Sequence, residues 1–307
     1  MFSLRSMEKS EWSEVANLIY LSTNHWYESR LGHSAFGGGP QVCELFCQVY
    51  EDLDPGCCLV AVHNETGMIM GSCFYHPRET HVSLGIMNVH PNYFGTGVAG
   101  ALLNEIIKFS KAREMPLRLV SSALNLDSYS LYNRKGFVPT TIYQDMLLEV
   151  PKKGIDTSKF DLKNVRDADL EDVSAMGALE FEVSGISRER DYCYFIENDQ
   201  GVWHVSVSEN KDGQIDGFLV SVNSQGFNML GPGVARDADI TASLIVSELN
   251  QHKERTLIFL VPANNRKLVD TMYSIGARNC ELHFAQVLGD AQPVNGVAMP
   301  TFMPETG

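Results

Sequence analysis

The sequence predicts an α/β (α+β) fold of two tandem domains, each a mixed, mostly antiparallel sheet flanked by helices. Three observations predict it. The chain has 307 residues, about two domains' worth. In the first half, three β-rich apolar runs follow one another before a glycine-bearing loop and a long amphipathic segment; that order is a meander, not a strand–helix–strand alternation. The second half repeats the same order of elements, a duplication at the period of whole domains.

In the first half, residues 2–5 read as a short strand. Residues 10–21 place Trp12, Val15, Ile19 and Tyr20 at helical spacing. A loop with Gly37, Gly38, Gly39 and Pro40 leads to a second helix over 41–53, stopped by Asp54-Pro55-Gly56. Residues 57–62 and 68–75 form a hairpin around Asn64-Glu65-Thr66-Gly67, and 82–89 adds the third strand. A helix over 98–112, a strand over 117–121, a short helix over 127–134 stopped by Gly136 and a strand region over 137–150 complete it. The polar, Pro- and Gly-containing stretch 151–158 reads as a linker, giving domains over 1–150 and 155–307. The second cycle places strands at 162–165, 202–208, 217–223, 227–230, 257–261 and 281–288. Its helices are at 170–182, 240–251 and 266–275, and an irregular tail follows from Ala291.

Composition bounds the class. Hydrophobic residues at 44% and charged residues at 20% are ordinary for a globular protein, and no apolar run approaches a membrane span. The polar start of the chain does not read as a signal peptide, so a cytoplasmic location is expected. Seven cysteines with no CxxC pair read as reduced, mostly core thiols, and no metal is expected. A net charge of −14 argues against nucleic acid as partner and mildly favours cationic substrates.

The stretch Val89-His90-Pro91-Asn92-Tyr93-Phe94-Gly95-Thr96-Gly97-Val98-Ala99-Gly100 joins a strand to a helix. Free N–H groups and the helix dipole make such a junction an anion site, and glycine lets a phosphate approach the backbone. Gly95, Gly97 and Gly100 also fit the dinucleotide fingerprint. That fingerprint needs a strand directly before the first glycine and an acid ending the next strand. Here four residues intervene and the next strand ends Leu119-Val120-Ser121-Ser122, so the dinucleotide reading is rejected. A kinase-type P-loop fails for want of a Gly-Lys-Ser/Thr step.

Val89-His90-Pro91 followed by Asn92-Tyr93-Phe94-Gly95-Thr96-Gly97 resembles the acetyl-coenzyme A loop of the GCN5-related N-acetyltransferase (GNAT) family, with Asn92 where that family has Gln or Arg. Asn125, Ser128, Leu131-Tyr132 and Gly136-Phe137 resemble the family's second signature, at its usual separation. The resemblance covers residues 1–150. It implies an acyl-coenzyme A-dependent N-acetyltransferase with acetyl-coenzyme A as co-substrate. Met87, Asn88 and Val89, on a strand end splayed from its neighbour, would hold the pantetheine arm, with the Val89 region donating to the thioester oxygen. The amides from Gly95 through Thr96, Gly97 and Val98 to Ala99 would hold the pyrophosphate, with Asn92, Asn125 and Ser128 as further contacts.

Tyr132 would protonate the departing thiolate, since a phenol and an alkyl thiol have similar pKa values. The base is less defined. Alternation puts His81, Ser83, Gly85, Met87 and Val89 on one face of 82–89. Where the family places a carboxylate or histidine, this chain offers Ser83 and Gly85, with His81 further out. His81 has a suitable ordinary pKa, but a histidine at a strand start is expected to be exposed. Glu79, His76, His90 and a water are the other routes.

In the second half, Gly231-Pro232-Gly233-Val234-Ala235 stands where the coenzyme loop would be. It lacks the glycine step, and Asp237 and Asp239 follow. Asn265, Tyr273 and Gly276 loosely echo Asn125, Tyr132 and Gly136. The second domain is therefore similar to the C-terminal halves of tandem family members, with a degenerate coenzyme site. It would shape an acceptor pocket or support a homodimer. The leading function is acetylation of a small-molecule amine; acetylation of a protein or peptide and non-catalytic sensing of an acyl-coenzyme A are the alternatives.

Overall fold

The computed structural model describes residues 1–224 and 226–305. The chain forms two compact units: one comprises Met1–Pro77, His81–Leu117 and the tail from Phe302, the other Arg78–Thr80 and Arg118–Thr301.

The first unit runs β1 (Phe2–Ser6), α1 (Trp12–Leu31), α2 (Glu44–Leu53), β2 (Cys58–His63), β3 (Ile69–Pro77), β4 (Val82–Val89) and α3 (Val98–Ala112). The four strands pair antiparallel in sequence order, β1-β2-β3-β4, as the hairpin signals predict. α1 is ten residues longer at its C-terminal end than its apolar spacing indicated, and Gly32 ends it in a left-handed conformation. Cys43, Cys47, Cys58 and Cys73 are buried here, and burial pushes the Cys43 and Cys47 thiols up to about 12, so they pack as small hydrophobes.

The second unit continues with β5 (Leu117–Ser122), α4 (Leu126–Arg134), β6 (Val138–Glu149), β7 (Val165–Asp167), α5 (Val173–Ser184), α6 (Glu189–Glu197), β8 (Trp203–Glu209), β9 (Ile215–Asn223), β10 (Asn228–Ala235), α7 (Ala238–Gln251), β11 (Thr256–Pro262), α8 (Arg266–Ser274), β12 (Arg278–Leu288) and β13 (Val297–Met299). Its strand order is β5-β12-β6-β11-β10-β9-β8-β7, with β13 on β10. β12, from the end of the chain, thus inserts between β5 and β6, and β6 pairs on both sides with strands of the second half. Met146 and Leu148 of β6, and Val150 just after it, accordingly lie in one core with Leu257, Phe259 and Val261 of β11 and with Leu268 and Met272 of α8.

Three local expectations are corrected. Residues 231–235 are not a loop: β10 runs on through them, with a register shift between Leu230 and Gly233. The tail after Ala291 is not wholly irregular, because Val297–Met299 pairs with β10. α6 went unread because its charged start, Glu189-Arg190-Asp191, hides the buried stripe Tyr192 and Phe195.

Candidate functional site

β4 leads into a 3-10 turn, Pro91–Tyr93, and then into α3. The ring Nδ1 of His90 accepts from the Asn92 N–H at 3.2 Å, and the Thr96 hydroxyl donates to the Tyr93 carbonyl at 2.7 Å. Gly95 (φ 75°) and Gly97 (φ 89°) are left-handed, and a Cβ at either would meet nothing within 4 Å. Their requirement is conformational, and the space beside them is open. No side chain caps α3 at Gly97, so the amides of its first turn keep their capacity for an anion. Gly71 seats this turn on the sheet: a Cβ there would stand 2.7 Å from Val98 Cγ1.

The second half differs at the corresponding helix. The Asp237 carboxylate accepts from the N–H groups of Asp239 (2.8 Å) and Ile240 (3.0 Å), filling the N-terminus of α7 with a negative charge of the chain's own. An external phosphate would meet repulsion there.

β4 is bulged, which corrects the predicted alternation. Cys73 pairs with Met87 and Tyr75 with Leu84, so Phe74 faces both Gly85 and Ile86. Met87 and Val89 therefore share the face of Leu84, toward α3, where Tyr75 meets Phe109 edge-on at 4.8 Å. Ser83 and Asn88 occupy the other face, toward α1 and α2, where Asn88 Nδ2 donates to Thr23 Oγ1 at 3.2 Å.

The base candidates also move. His81 is buried rather than exposed. Ser83 is buried, its hydroxyl has no partner among the described residues, and it sits directly opposite His76. His76 is fully buried with Nδ1 2.7 Å from Asp54 Oδ2, and its ring meets that of Tyr50 in a T-shaped contact with centroids 4.6 Å apart. Gly85 makes the room: a Cβ there would fall 2.7 Å from His76 Nε2. Sequence reasoning offered His76 only as a fallback and took Asp54 for a turn residue; nothing local joins positions 22 residues apart.

A carboxylate the sequence did not single out completes this face. Glu305 Oε2 accepts from the Tyr50 hydroxyl at 2.8 Å and the Glu305 carboxylate also accepts from the Ile86 N–H, which the bulge has released from the ladder. Burial pushes the Glu305 carboxyl up to about 8, and burial beside Glu305 raises the Tyr50 phenol well above its ordinary range.

In the second unit, the Asn125 side chain caps α4 by accepting from the Ser128 N–H at 3.1 Å, and Asn265 does the same for α8 with Leu268 at 3.2 Å. Asn125 and Asn265 thus echo each other as helix caps. Tyr132 is buried with its ring 5.8 Å from Phe137. Its carbonyl accepts from the Phe137 N–H, as that of Met272 accepts from Ala277. Met272, not Tyr273, therefore stands where Tyr132 stands in the first half; Tyr273 is exposed and donates its hydroxyl to Gln144 at 2.9 Å.

Asp145, Glu281 and His283 present metal-type ligand atoms within 4.8 Å of one another, and His283 Nδ1 is already 2.9 Å from Asp145. A solvent-open cavity of about 680 Å³ lined by Lys159, Asp216, Asp239 and Thr271 contains none of the predicted residues.

Comparison with known proteins follows the same division of the chain. A family model described as acetyltransferase (GNAT) family matches residues 22–137, and one described as acetyltransferase (GNAT) domain matches 179–289. No curated protein sequence matches. Among solved structures, a candidate acetyltransferase from Pyrococcus horikoshii is similar at 14% identity and a TM-score of 0.76, over 99% of this chain and 95% of its own. A GCN5-related N-acetyltransferase from Sphaerobacter thermophilus is similar at 16% and 0.65, over 94% and 95%. A tandem GNAT protein from the clavulanic acid biosynthesis pathway is similar at 11% and 0.62, over 95% and 100%. At these identities the likeness speaks for the fold.

Proposed function

Because the chain belongs to the acetyltransferase (GNAT) family, as two GNAT domains in tandem, we propose that residues 1–150 form a catalytic domain that acetylates the amine of a small molecule and that 155–307 form a domain with a degenerate coenzyme site. The observation that supports this most is the contrast between the two helix N-termini. That of α3 is uncapped behind two left-handed glycines, whereas that of α7 is filled by Asp237.

Acetyl-coenzyme A would supply the acyl group as a thioester. The amides of Val98 and Ala99 would neutralise phosphate charge through the helix dipole. Met87, Asn88, Val89, Asn92, Asn125 and Ser128 would line the rest of the coenzyme's path. Tyr132 would act as the acid, and a buried phenol is suited to keeping its proton until a thiolate takes it. The amine must lose a proton. His76, held by Asp54, and Glu305 both stand on the α1/α2 face of β4 and replace His81 and Ser83 as the groups best built for that step.

The test is thiol release from acetyl-coenzyme A across an amine panel. Turnover with a small amine, lowered by roughly 10²- to 10⁴-fold in kcat by Tyr132→Phe with coenzyme affinity retained, is the expected result. Tight coenzyme binding with no turnover on any amine would instead support the acyl-coenzyme A sensor, and turnover confined to peptides would support protein acetylation.

A further inference from the structure

The cavity of about 680 Å³ lies wholly within the second unit, at the turn end of the β8–β9 hairpin and beside α7 and α8. Its size suits a small molecule. Floor and rim differ in their access to water. Ser208, Asp216, Ala242 and Ser243 are buried, and Phe160 and Ile240 are partly buried. Lys159, Asp161, Lys211 and Asp239 are exposed.

Asp216 stands at a break in the ladder. Ser208 of β8 pairs with Gly217 and Glu209 with Ile215, so Asp216 is the extra residue of a bulge. A bulge re-aims a side chain, and this residue lines the cavity. Asp216 is only 9% exposed, and its Oδ1 is buried with no hydrogen-bond partner among the described residues. Burial raises the pKa of its carboxyl above the ordinary aspartate value; the Ser208 hydroxyl lowers it by donating, and the charge of Asp237 adds to the rise. A buried carboxylate oxygen left unpaired costs stability, and a ligand that brings a cation offsets that cost.

The rest of the lining selects the cation. Glu209 is paired with Arg166 and Asp239 with Lys267. Asp161 is exposed, and Lys159 and Lys211 add positive charge to the same rim. Asp216 is therefore the lining carboxylate that is enclosed and lacks a cation. Among the described residues, no three of these carboxylates bring ligand oxygens within 4.8 Å of one another. That spacing does not suit a divalent ion, which gathers several oxygens at once. One enclosed negative charge matches one ammonium. The further charges of a polyamine would meet Lys159 and Lys211. Phe160, Ile240 and Ala242 offer apolar surface to a hydrocarbon body, and the hydroxyls of Ser208 and Ser243 can accept from an ammonium.

We propose that this cavity is a binding site for a small organic monoamine, with its ammonium on Asp216 and its hydrocarbon body against Phe160 and Ile240. The site is built from the second unit alone and stands whether or not the first domain transfers an acyl group.

The test uses the full chain and two probe pairs: benzylamine with benzyl alcohol, and cyclohexylamine with cyclohexanol. Calorimetry measures affinity, and the methyl NMR signals of Ile240 and Ala242 report where the probe sits. The amines should bind at least about 10-fold more tightly than the alcohols and should shift both signals. Asp216→Asn should remove that preference. Ile240→Trp keeps the carboxylate but narrows the cavity, and should weaken amine binding by about 10-fold as well; it carries the test if Asp216→Asn does not fold. Alcohols that bind as tightly as the amines, or amine binding undiminished in either variant, would overturn the proposal. So would amine binding that leaves the Ile240 and Ala242 signals unmoved, because the amine would then sit elsewhere. Calcium chloride that shifts those signals and displaces benzylamine would assign a metal ion to the cavity and overturn it too, as would the absence of any amine binding at millimolar concentration.

Discussion

Glu305 ties the tail of the chain to the bulge in β4, and its proton sets how tightly. Its carboxyl sits at about 8 against an ordinary 4.5, chiefly through burial. A carboxyl whose folded pKa is raised is stabilising in its protonated form. Between 4.5 and 8 the docked state binds the proton that the undocked state releases, so docking weakens as pH rises through that window and levels off above about 8. At 1.36 kcal/mol per pH unit, the full window amounts to about 5 kcal/mol, and the interval from pH 6 to pH 8 to about 3 kcal/mol, near a hundredfold in the docking equilibrium. Limited proteolysis after Phe302, under conditions where cleavage follows the undocked population, reads that equilibrium. Wild-type cleavage should accelerate by up to about a hundredfold from pH 6 to pH 8 once the protease's own pH dependence is divided out. Glu305→Gln keeps an acceptor for Tyr50 and Ile86 but has no proton to lose, so its cleavage should stay flat. Parallel acceleration in both proteins would refute the reasoning and move the pH dependence to another group.

Two further outcomes follow from the helix termini and the strand order. Gly97→Ala, which forces a side chain to φ 89°, should cost about 1 kcal/mol of stability and weaken acetyl-coenzyme A binding; Asp237→Ala should cost a similar amount and leave coenzyme binding unchanged, both read by thermal denaturation and calorimetry. Residues 1–150 expressed alone should aggregate, because β6 loses β11 and β12 and exposes two strand edges; a monodisperse, folded fragment in size-exclusion chromatography would contradict this.

Much of the fold was legible where local chemistry decides it. The Asn64–Gly67 turn, the three-strand meander and the junction from Val89 into α3 follow from turn residues and periodicity, which act over a few positions. What escaped depends on partners distant in sequence. The bulge at Gly85 and Ile86 appears only once β3 and β4 are in register, and it inverts the facing of Met87 and Val89. The Asp54–His76 pair and the Glu305–Tyr50 contact join residues 22 and 255 positions apart. Asn125 was visible as a polar residue before a helix, but capping and ligand binding demand the same side chain, and only the 3.1 Å contact with Ser128 shows that capping engages its oxygen.

On the proposed reading, the resemblance between the halves illustrates how a fold is kept while a site is lost. Asn125 and Asn265 each cap a helix, and Gly136 (φ 94°) and Gly276 (φ 98°) each end one in a left-handed turn. These positions serve backbone geometry, and both halves need them. The positions proposed to serve an anion or a proton are the ones that differ. The free helix N-terminus behind Gly97 becomes one filled by Asp237, and the place of Tyr132 is taken by Met272, a core residue. Asparagine and glycine at matching spacing therefore mark the shared architecture. The discriminating features are an uncapped helix N-terminus and a buried phenol, and only the first half has both.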